Sequence, residues 1–254
     1  MGEYPQIIVP VDHSEPVPRR IRAWLGGQLV LDTTRARYVW EWPNYPQYYV
    51  PLDDVRTEWL VDEHRSQPTT RGLAQQFGLV VGPHRRPGAV RVYPESHLER
   101  VTGTARFEWG AFDHWFEEDE EVFVHPRDPY TRVDALRSTR PVRIELDGVV
   151  LAESGSPVLV FETGLPTRYY LNPSEVDFSH LEPSATVSAC PYKGRTSGYW
   201  SVRTGATLQR DRAWTYGFPT RELLPIAGLI AFYNEQVDVF VNGELQPRPR
   251  THFS

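Results

Sequence analysis

One pattern that occurs twice constrains this chain more than any other feature. Residues 22–55 align with residues 143–176 without a gap, at an offset of 121. Eight of the thirty-four aligned pairs are identical: Arg22/Arg143, Leu25/Leu146, Gly27/Gly148, Val39/Val160, Glu41/Glu162, Tyr48/Tyr169, Tyr49/Tyr170 and Val55/Val176. Others are conservative, among them Trp40/Phe161 and Asp32/Glu153. Internal repetition decides the architecture before any local argument, and here it implies two copies of one domain. It predicts an N-terminal arm over 1–19, a first domain over 20–130, a second over 131–246 and a C-terminal tail over 247–254. In a chain of 254 residues each copy is long enough to bury its own core.

Short alternating runs separated by turn residues predict a mainly β fold. Residues 142–146 and 149–153 alternate on either side of Asp147-Gly148, a pair suited to the two-residue turn whose positive φ angles match strand twist. Gly26-Gly27 occupies the same place in the first copy. Further strands are expected over 157–162, 168–171, 199–203, 206–210 and 237–241. One helix is expected over 111–120, with Phe112, Trp115 and Phe116 on one face and carboxylates on the other. Its counterpart lies over 229–238 at an offset of 117, which matches Val122-Phe123-Val124 to Val239-Phe240-Val241. Residues 63–91 then have no equivalent in the second copy, and 188–202 none in the first. Unequal middles on equal frames place a site in one copy.

The net charge of −6 argues against a general nucleic-acid binder, whose phosphate affinity needs clustered Lys and Arg. No apolar run approaches the ~20 residues of a membrane span, and the N-terminal residues lack the apolar segment of a secretory signal; a cytoplasmic protein is the expectation. The single cysteine, Cys190, excludes an internal disulfide and a four-thiolate zinc site. No phosphate-binding loop, nucleophile elbow, His-Glu-x-x-His or Gly-x-Gly-x-x-Gly occurs, so neither cofactor nor metal is expected. The 8 Trp and 13 Tyr supply faces for a ligand cleft or for the cores between small sheets.

Three constellations carry chemistry. In Cys190-Pro-Tyr-Lys193-Gly, the ammonium can lower the thiol pKa if the turn folds it back; equally, Cys190 can be a small buried residue in a turn. Glu162 and Glu41 share a repeat position at the end of an apolar strand, each followed by a tyrosine pair, Tyr169-Tyr170 or Tyr48-Tyr49. Such a carboxylate is either a general base with a raised pKa or a structural partner, for instance of Arg168. His125, beside Arg127 and Tyr130, is the best candidate proton carrier. The alternative is a linker pinned by Arg127–Asp128 and Arg132–Asp134 ion pairs. The acidic run 117–121 reads as a solvated helix face.

Several segments together carry a family likeness: FVHPRDPYTRVDAL at 123–136, LVFETGLPTRYYL at 159–171, CPYKG at 190–194, YWSV at 199–202 and IAGLIAFYNEQVDVFVNG at 226–243. With them the chain resembles the tandem form of the bacterial family catalogued as domain of unknown function 427. The resemblance implies a small β-tent in each copy, two antiparallel sheets meeting at an angle, similar to the cereblon ligand-binding domain and to methionine sulfoxide reductase B. Those relatives bind zinc through paired Cys-x-x-Cys motifs, which one cysteine does not supply. A nucleotidyltransferase label attaches to the family, yet Asp53-Asp54 alone is not the carboxylate and phosphate cradle such transfer needs.

The expected function is binding of a small polar or anionic metabolite in an aromatic-lined pocket of the second domain. Tyr169, Tyr170, Tyr192 and Trp200 are its expected walls and Arg168, Lys193 and Glu162 its polar anchors, with Arg127 and Tyr130 contributing from the linker. One alternative is an enzyme with Cys190 as nucleophile, assisted by Lys193, His125 or Glu162. Another is a module whose aromatics bind protein.

Overall fold

The alternating pattern of residues 142–154 produces what it predicts. In the computed structural model, which describes residues 4–6 and 8–251, strands Val142–Leu146 and Val149–Ser154 pair across the Asp147-Gly148 turn, with φ of 52° and 77° at the two turn residues. Val142, Ile144 and Leu146 are buried while Arg143 and Glu145 point the other way, as the two-residue period requires. The chain divides into two compact units, Ile8–Asp128 and a second formed by Pro129–Ser254 with Met1–Ile7. The protein is mainly β, with two tandem β domains; the described residues contain short 3-10 turns and no α-helix.

Each unit has a seven-stranded and a four-stranded antiparallel sheet. In the second unit the large sheet runs Val133–Arg137, Val158–Glu162, Arg168–Leu171, Ile230–Phe232, Thr207–Thr215, Gly198–Thr204, Leu181–Ser184. The small sheet runs Val149–Ser154, Val142–Leu146, Asp238–Val241, Glu244–Leu245. The first unit follows the same order strand for strand: Ser14–Pro16, Arg37–Val39, Gln47–Pro51, Thr104–Phe107, His84–Tyr93, Gly72–Val81, Leu60–Thr69 in the large sheet, and Gln28–Thr33, Ile21–Leu25, His114–Glu117, Glu120–Val122 in the small one.

Both faces of the second unit's large sheet are buried. One face joins the small sheet in a core that includes Ile144, Leu151, Leu171, Val202, Ile230, Phe232 and Val239, against which Tyr169 and Trp200 pack. The opposite face is aromatic: Tyr170, Tyr199, Trp214 and Tyr216 cluster with Val158 and Val160 under the 3-10 segment Arg221–Ile226, which contributes Leu223 and Ile226.

Four sequence expectations change. Residues 1–19 are not all an arm, because Ser14–Pro16 is an edge strand paired with Arg37–Val39 and Val17 is buried. The helix over 111–120 is instead a hairpin, His114–Glu117 pairing with Glu120–Val122. Its acidic run is a turn in which Glu118 takes φ 51°, matching Asn242 at 52° in the second copy. The 117 offset is therefore a false match. Pairing aligns Phe116 with Phe240, since they face Arg22 and Arg143 respectively, and both arginines lie over these rings, at 5.7 and 4.5 Å. Finally, residues 63–91 do have counterparts: Leu60–Thr69, Gly72–Val81 and His84–Tyr93 occupy the sheet positions of Leu181–Ser184, Gly198–Thr204 and Thr207–Thr215. What is added to the second copy is residues 185–197, which hold a two-stranded sheet of Ala189–Cys190 and Gly194–Arg195.

Leu151, fully buried in the second unit's core, should cost about 2–5 kcal/mol when replaced by alanine, because the cavity closes only in part. Leu245→Ala, at an exposed position of the same sheet, should stay within about 0.5 kcal/mol. Urea unfolding of the two variants checks this; equal losses would disprove the assigned core.

Candidate functional site

Strand parity decides which predicted residues meet. Glu162 ends Val158–Glu162 on the same face as Val158 and Val160, and Arg168 and Tyr170 lie on that face of the next strand. Tyr169 and Trp200 lie on the other face, against the inter-sheet core. The expected pocket with all four aromatics as walls is therefore split by the sheet. Tyr192 is half-buried in the added segment, where its carbonyl accepts a 2.5 Å hydrogen bond from the Thr220 hydroxyl.

The anchors are held by one another or by the protein. Lys193, 7% exposed, donates from Nζ to Glu162 Oε2, and Nζ lies 3.8 Å from Cys190 Sγ. Burial pulls the Lys193 ammonium down, but its interactions with Cys190 and Glu162 outweigh this, leaving the group above the ordinary lysine value. Burial pushes the Cys190 thiol up, and Lys193 only partly opposes this. At neutral pH the sulfur is therefore an uncharged thiol, and the Glu162 carboxylate is what retains the ammonium. That arrangement is the reverse of an activated thiolate. Arg168 makes a bidentate pair with Glu235, at 2.5 and 2.6 Å, and donates to Asn234 Oδ1 at 2.7 Å. The Glu162–Arg168 pairing considered from sequence is thus replaced by Glu162–Lys193 and Arg168–Glu235. Tyr170 is fully buried; burial raises its hydroxyl to about 12, and that hydroxyl accepts from Trp214 Nε1 at 3.4 Å.

The linker candidates disperse. His125 stacks on Tyr45 at 3.7 Å and its Nδ1 lies 2.8 Å from the Pro126 carbonyl. Arg127 faces Glu120 at 3.6 Å and Glu117 at 4.0 Å, while Asp128 accepts from Trp40 Nε1 at 3.0 Å, so the Arg127–Asp128 pair does not form. Arg132 does pair with Asp134, at 2.6 Å. Tyr130 is exposed. His125 and Arg127 belong to the first unit and Cys190 to the second.

The residues that sequence reasoning missed are Tyr199, Trp214, Tyr233, Asn234 and Glu235. Tyr199 and Tyr233 share a 2.9 Å hydroxyl contact, Tyr199 also meets Ser188 of the added segment at 3.0 Å, and Tyr233 packs on Trp214 at 4.4 Å. Alternation within Thr207–Thr215 was the available signal, since Trp214 points opposite to Ala213.

Open space lies elsewhere in the second unit. A cleft of about 470 Å³ is lined by Tyr4, Pro166, Thr167, Tyr169, Asn234, Val239 and residues 246–250. The C-terminal segment forms one wall and is tied down by Arg248 to Asp238, at 2.8 and 3.0 Å, and by the Thr251 hydroxyl to Glu235 at 2.6 Å. Among the described residues the Tyr169 hydroxyl makes no hydrogen bond and the Arg250 guanidinium no ion pair. The equivalent Tyr48 of the first copy donates instead to buried Glu117 at 2.6 Å. Among the described residues no group of three or more His, Cys, Asp or Glu side chains comes together to hold a metal, and no helix is long and apolar enough to cross a membrane.

Two variants test the buried pair. Glu162→Gln strands the Lys193 ammonium and should cost about 3–5 kcal/mol, whereas the double variant Glu162→Leu with Lys193→Met should recover most of that loss. A double variant as unstable as Glu162→Gln would show that the pair is not what the segment depends on. The raised thiol also carries a sign. Above about pH 8.5 the unfolded chain releases the Cys190 proton while the folded chain keeps it, so stability falls as pH rises. Cys190→Ser should flatten that alkaline fall in urea midpoint; an unchanged slope would contradict the burial of the thiol.

A family model described as domain of unknown function (DUF427) matches the chain twice, over residues 13–118 and 134–243. No curated protein matches the chain in sequence. The two matches span the two large-sheet and small-sheet units, and the chain belongs to the DUF427 family as a tandem member.

Proposed function

We propose that the second domain binds a small anionic molecule in the cleft beside Tyr169, and that the buried Cys190, Lys193 and Glu162 cluster holds the domain's added segment in place without doing chemistry. The observation that carries this reading is the pairing of a cleft of ligand size with a guanidinium and a hydroxyl that have no partner among the described residues. Pockets of a few hundred Å³ with mostly apolar walls and a few convergent polar groups are the usual form of small-molecule sites. Pro166, Pro247, Pro249, Tyr4 and Tyr169 supply the flat walls, and Arg250 supplies the charge.

The comparison between copies supports the same reading. Tyr48 and Tyr169 hold one repeat position, yet the first copy places a carboxylate, Glu117, against the hydroxyl and a second cation, Arg19, against the carboxylate at 2.7 Å. Val241 stands where Glu117 would be, as its pairing with Val142 against that of Glu117 with Ile21 indicates. The second copy therefore leaves its tyrosine hydroxyl for something else. The enzyme reading draws support only from the 3.8 Å approach of Lys193 to Cys190, and the raised thiol opposes it.

A thermal-shift screen of metabolites against the full chain tests the proposal. Ligands that bind only the folded state raise the midpoint by an amount set by concentration over Kd. Anionic hits should appear, and their shifts should be lost in Arg250→Ala while the unliganded midpoint stays put, because Arg250 is exposed. Hits that shift wild type and Arg250→Ala equally would place binding elsewhere.

A further inference from the structure

The second copy keeps the cation and the hydroxyl of a network built in the first copy and lacks the acid that joins them. In the first copy the Glu117 carboxylate, buried at 4% exposure, divides its oxygens. Its Oε1 accepts from the Tyr48 hydroxyl at 2.6 Å and its Oε2 from Arg19 Nη1 at 2.7 Å. Backbone hydrogen bonds fix the equivalent places in the second copy. Val17 N–H donates to the Ala36 carbonyl as Ser138 N–H does to that of Pro157, and Glu118 N–H donates to Arg20 as Asn242 N–H does to Pro141. Arg140 therefore stands where Arg19 does, Tyr169 where Tyr48 does, and Val241 where Glu117 does.

The electrostatics of the two places agree except for the acid. Arg19 acts on the Tyr48 hydroxyl and Arg140 on the Tyr169 hydroxyl, each opposing the upward push of burial. Glu117 acts on Tyr48 as well, whereas among the described residues no carboxylate acts on Tyr169. Arg140 is exposed, and its guanidinium makes no hydrogen bond or ion pair among the described residues. Val241 ends at its methyl groups, one carbon short of where a glutamate carries its carboxyl, and has nothing to offer either donor.

We infer that the ligand supplies the missing acid: a carboxylate group seats between Arg140 and Tyr169, one oxygen on the guanidinium and the other on the phenol, as Glu117 does in the first copy. This rests on the reading of the Tyr169 cleft as the binding site, and it adds Arg140 to Arg250 of the cleft's C-terminal wall. A planar group with two oxygens satisfies both donors at charge-assisted strength. A phosphate would present further oxygens and further charge, for which the buried Val241 has no donor.

Two experiments test this, the first without any ligand. Val241→Glu rebuilds the acid of the first copy, and with Arg140 present the full chain should fold. Adding Arg140→Ala should lower the urea midpoint by more than the two single changes together, because a buried carboxylate is then left without its cation. Additive losses, or a Val241→Glu chain that does not fold, would overturn the inference. In the second experiment thermal midpoints are compared in acetate, phosphate and chloride at neutral pH and equal ionic strength. Acetate should raise the wild-type midpoint above that in chloride. Arg140→Ala should weaken the apparent affinity about tenfold or more and Tyr169→Phe about fivefold, the losses of a charged and a neutral hydrogen bond. Val241→Glu, whose own carboxylate fills the seat, should abolish the effect. A larger gain in phosphate than in acetate, with the same dependence on Arg140, would keep the place and overturn the carboxylate. Acetate gains that survive Arg140→Ala and Val241→Glu but vanish in Arg250→Ala would overturn the seat and keep the cleft. No gain in acetate over chloride would overturn the inference and leave the metabolite screen to judge the cleft.

Discussion

The second domain depends on a carboxylate almost wholly withdrawn from solvent. Glu162 leaves the end of an apolar strand onto a face walled by tyrosine and tryptophan, and an ionised carboxylate there is tolerable only with a cation in contact. Lys193 is that cation, and it arrives from a segment inserted between two strands of the same sheet. The first domain meets the same demand differently. Glu41 accepts from Arg106 at 3.2 and 3.3 Å and from the Tyr49 hydroxyl at 2.8 Å, with Arg71 of the tight turn 3.9 Å away. In the sheet register Arg106 corresponds to Ala231, since these residues lie opposite Tyr49 and Tyr170 respectively. The second copy has alanine in place of the strand arginine, and a loop lysine meets the carboxylate there. That substitution explains why residues 185–197 are longer and folded: the connection must carry Lys193 down to the sheet.

Seen this way, the duplicated glutamate and tyrosine pair is chiefly architecture. Tyr49 and Tyr170 face the outer cluster in both copies and are fully buried in both. The neighbouring tyrosine differs. Tyr48 joins a network with buried Glu117 and half-buried Arg19, whereas Tyr169 packs on the core and lines a cleft. One copy uses the tyrosine at that position structurally and the other does not. The proposed site needs no new strand, only an apolar residue, Val241, where the first copy has Glu117, and a C-terminal segment along the opening.

The sequence made the repeat, the β class and the hairpin at Asp147-Gly148 legible because each depends on local periodicity or on a turn residue that takes positive φ. The misread elements share one cause. A run such as 111–120 has aromatics at helical spacing, but Glu118 adopts φ 51° and reverses the chain; a non-glycine residue in that conformation leaves little trace in composition. Strands 60–69, 72–81 and 84–93 escaped matching because sheet position is fixed by pairing register, while the residues at equivalent positions diverged, with Gln76 and Arg91 standing where the second copy has Tyr199 and Trp214. The pocket was misassembled for a simpler reason: adjacent residues of a strand, such as Tyr169 and Tyr170, face opposite ways.

The same parity bears on Cys190. A thiol becomes a nucleophile when a nearby positive charge stabilises its anion more than burial penalises it. Lys193 is near enough at 3.8 Å, but its charge already answers to Glu162, which is fixed on the sheet's outer face by the alternation of Val158–Glu162. Moving that carboxylate by one residue would put it on the opposite face of the sheet, at the part-exposed position of Phe161, and would leave the ammonium to the sulfur. The strand register, set by core packing, therefore commits Lys193 to Glu162 and leaves burial to hold the thiol up. A chain of this family with an apolar residue in place of Glu162 and the Cys-x-x-Lys spacing kept would hold its lysine against the thiol alone, and there the thiolate should be favoured more than it is in this domain.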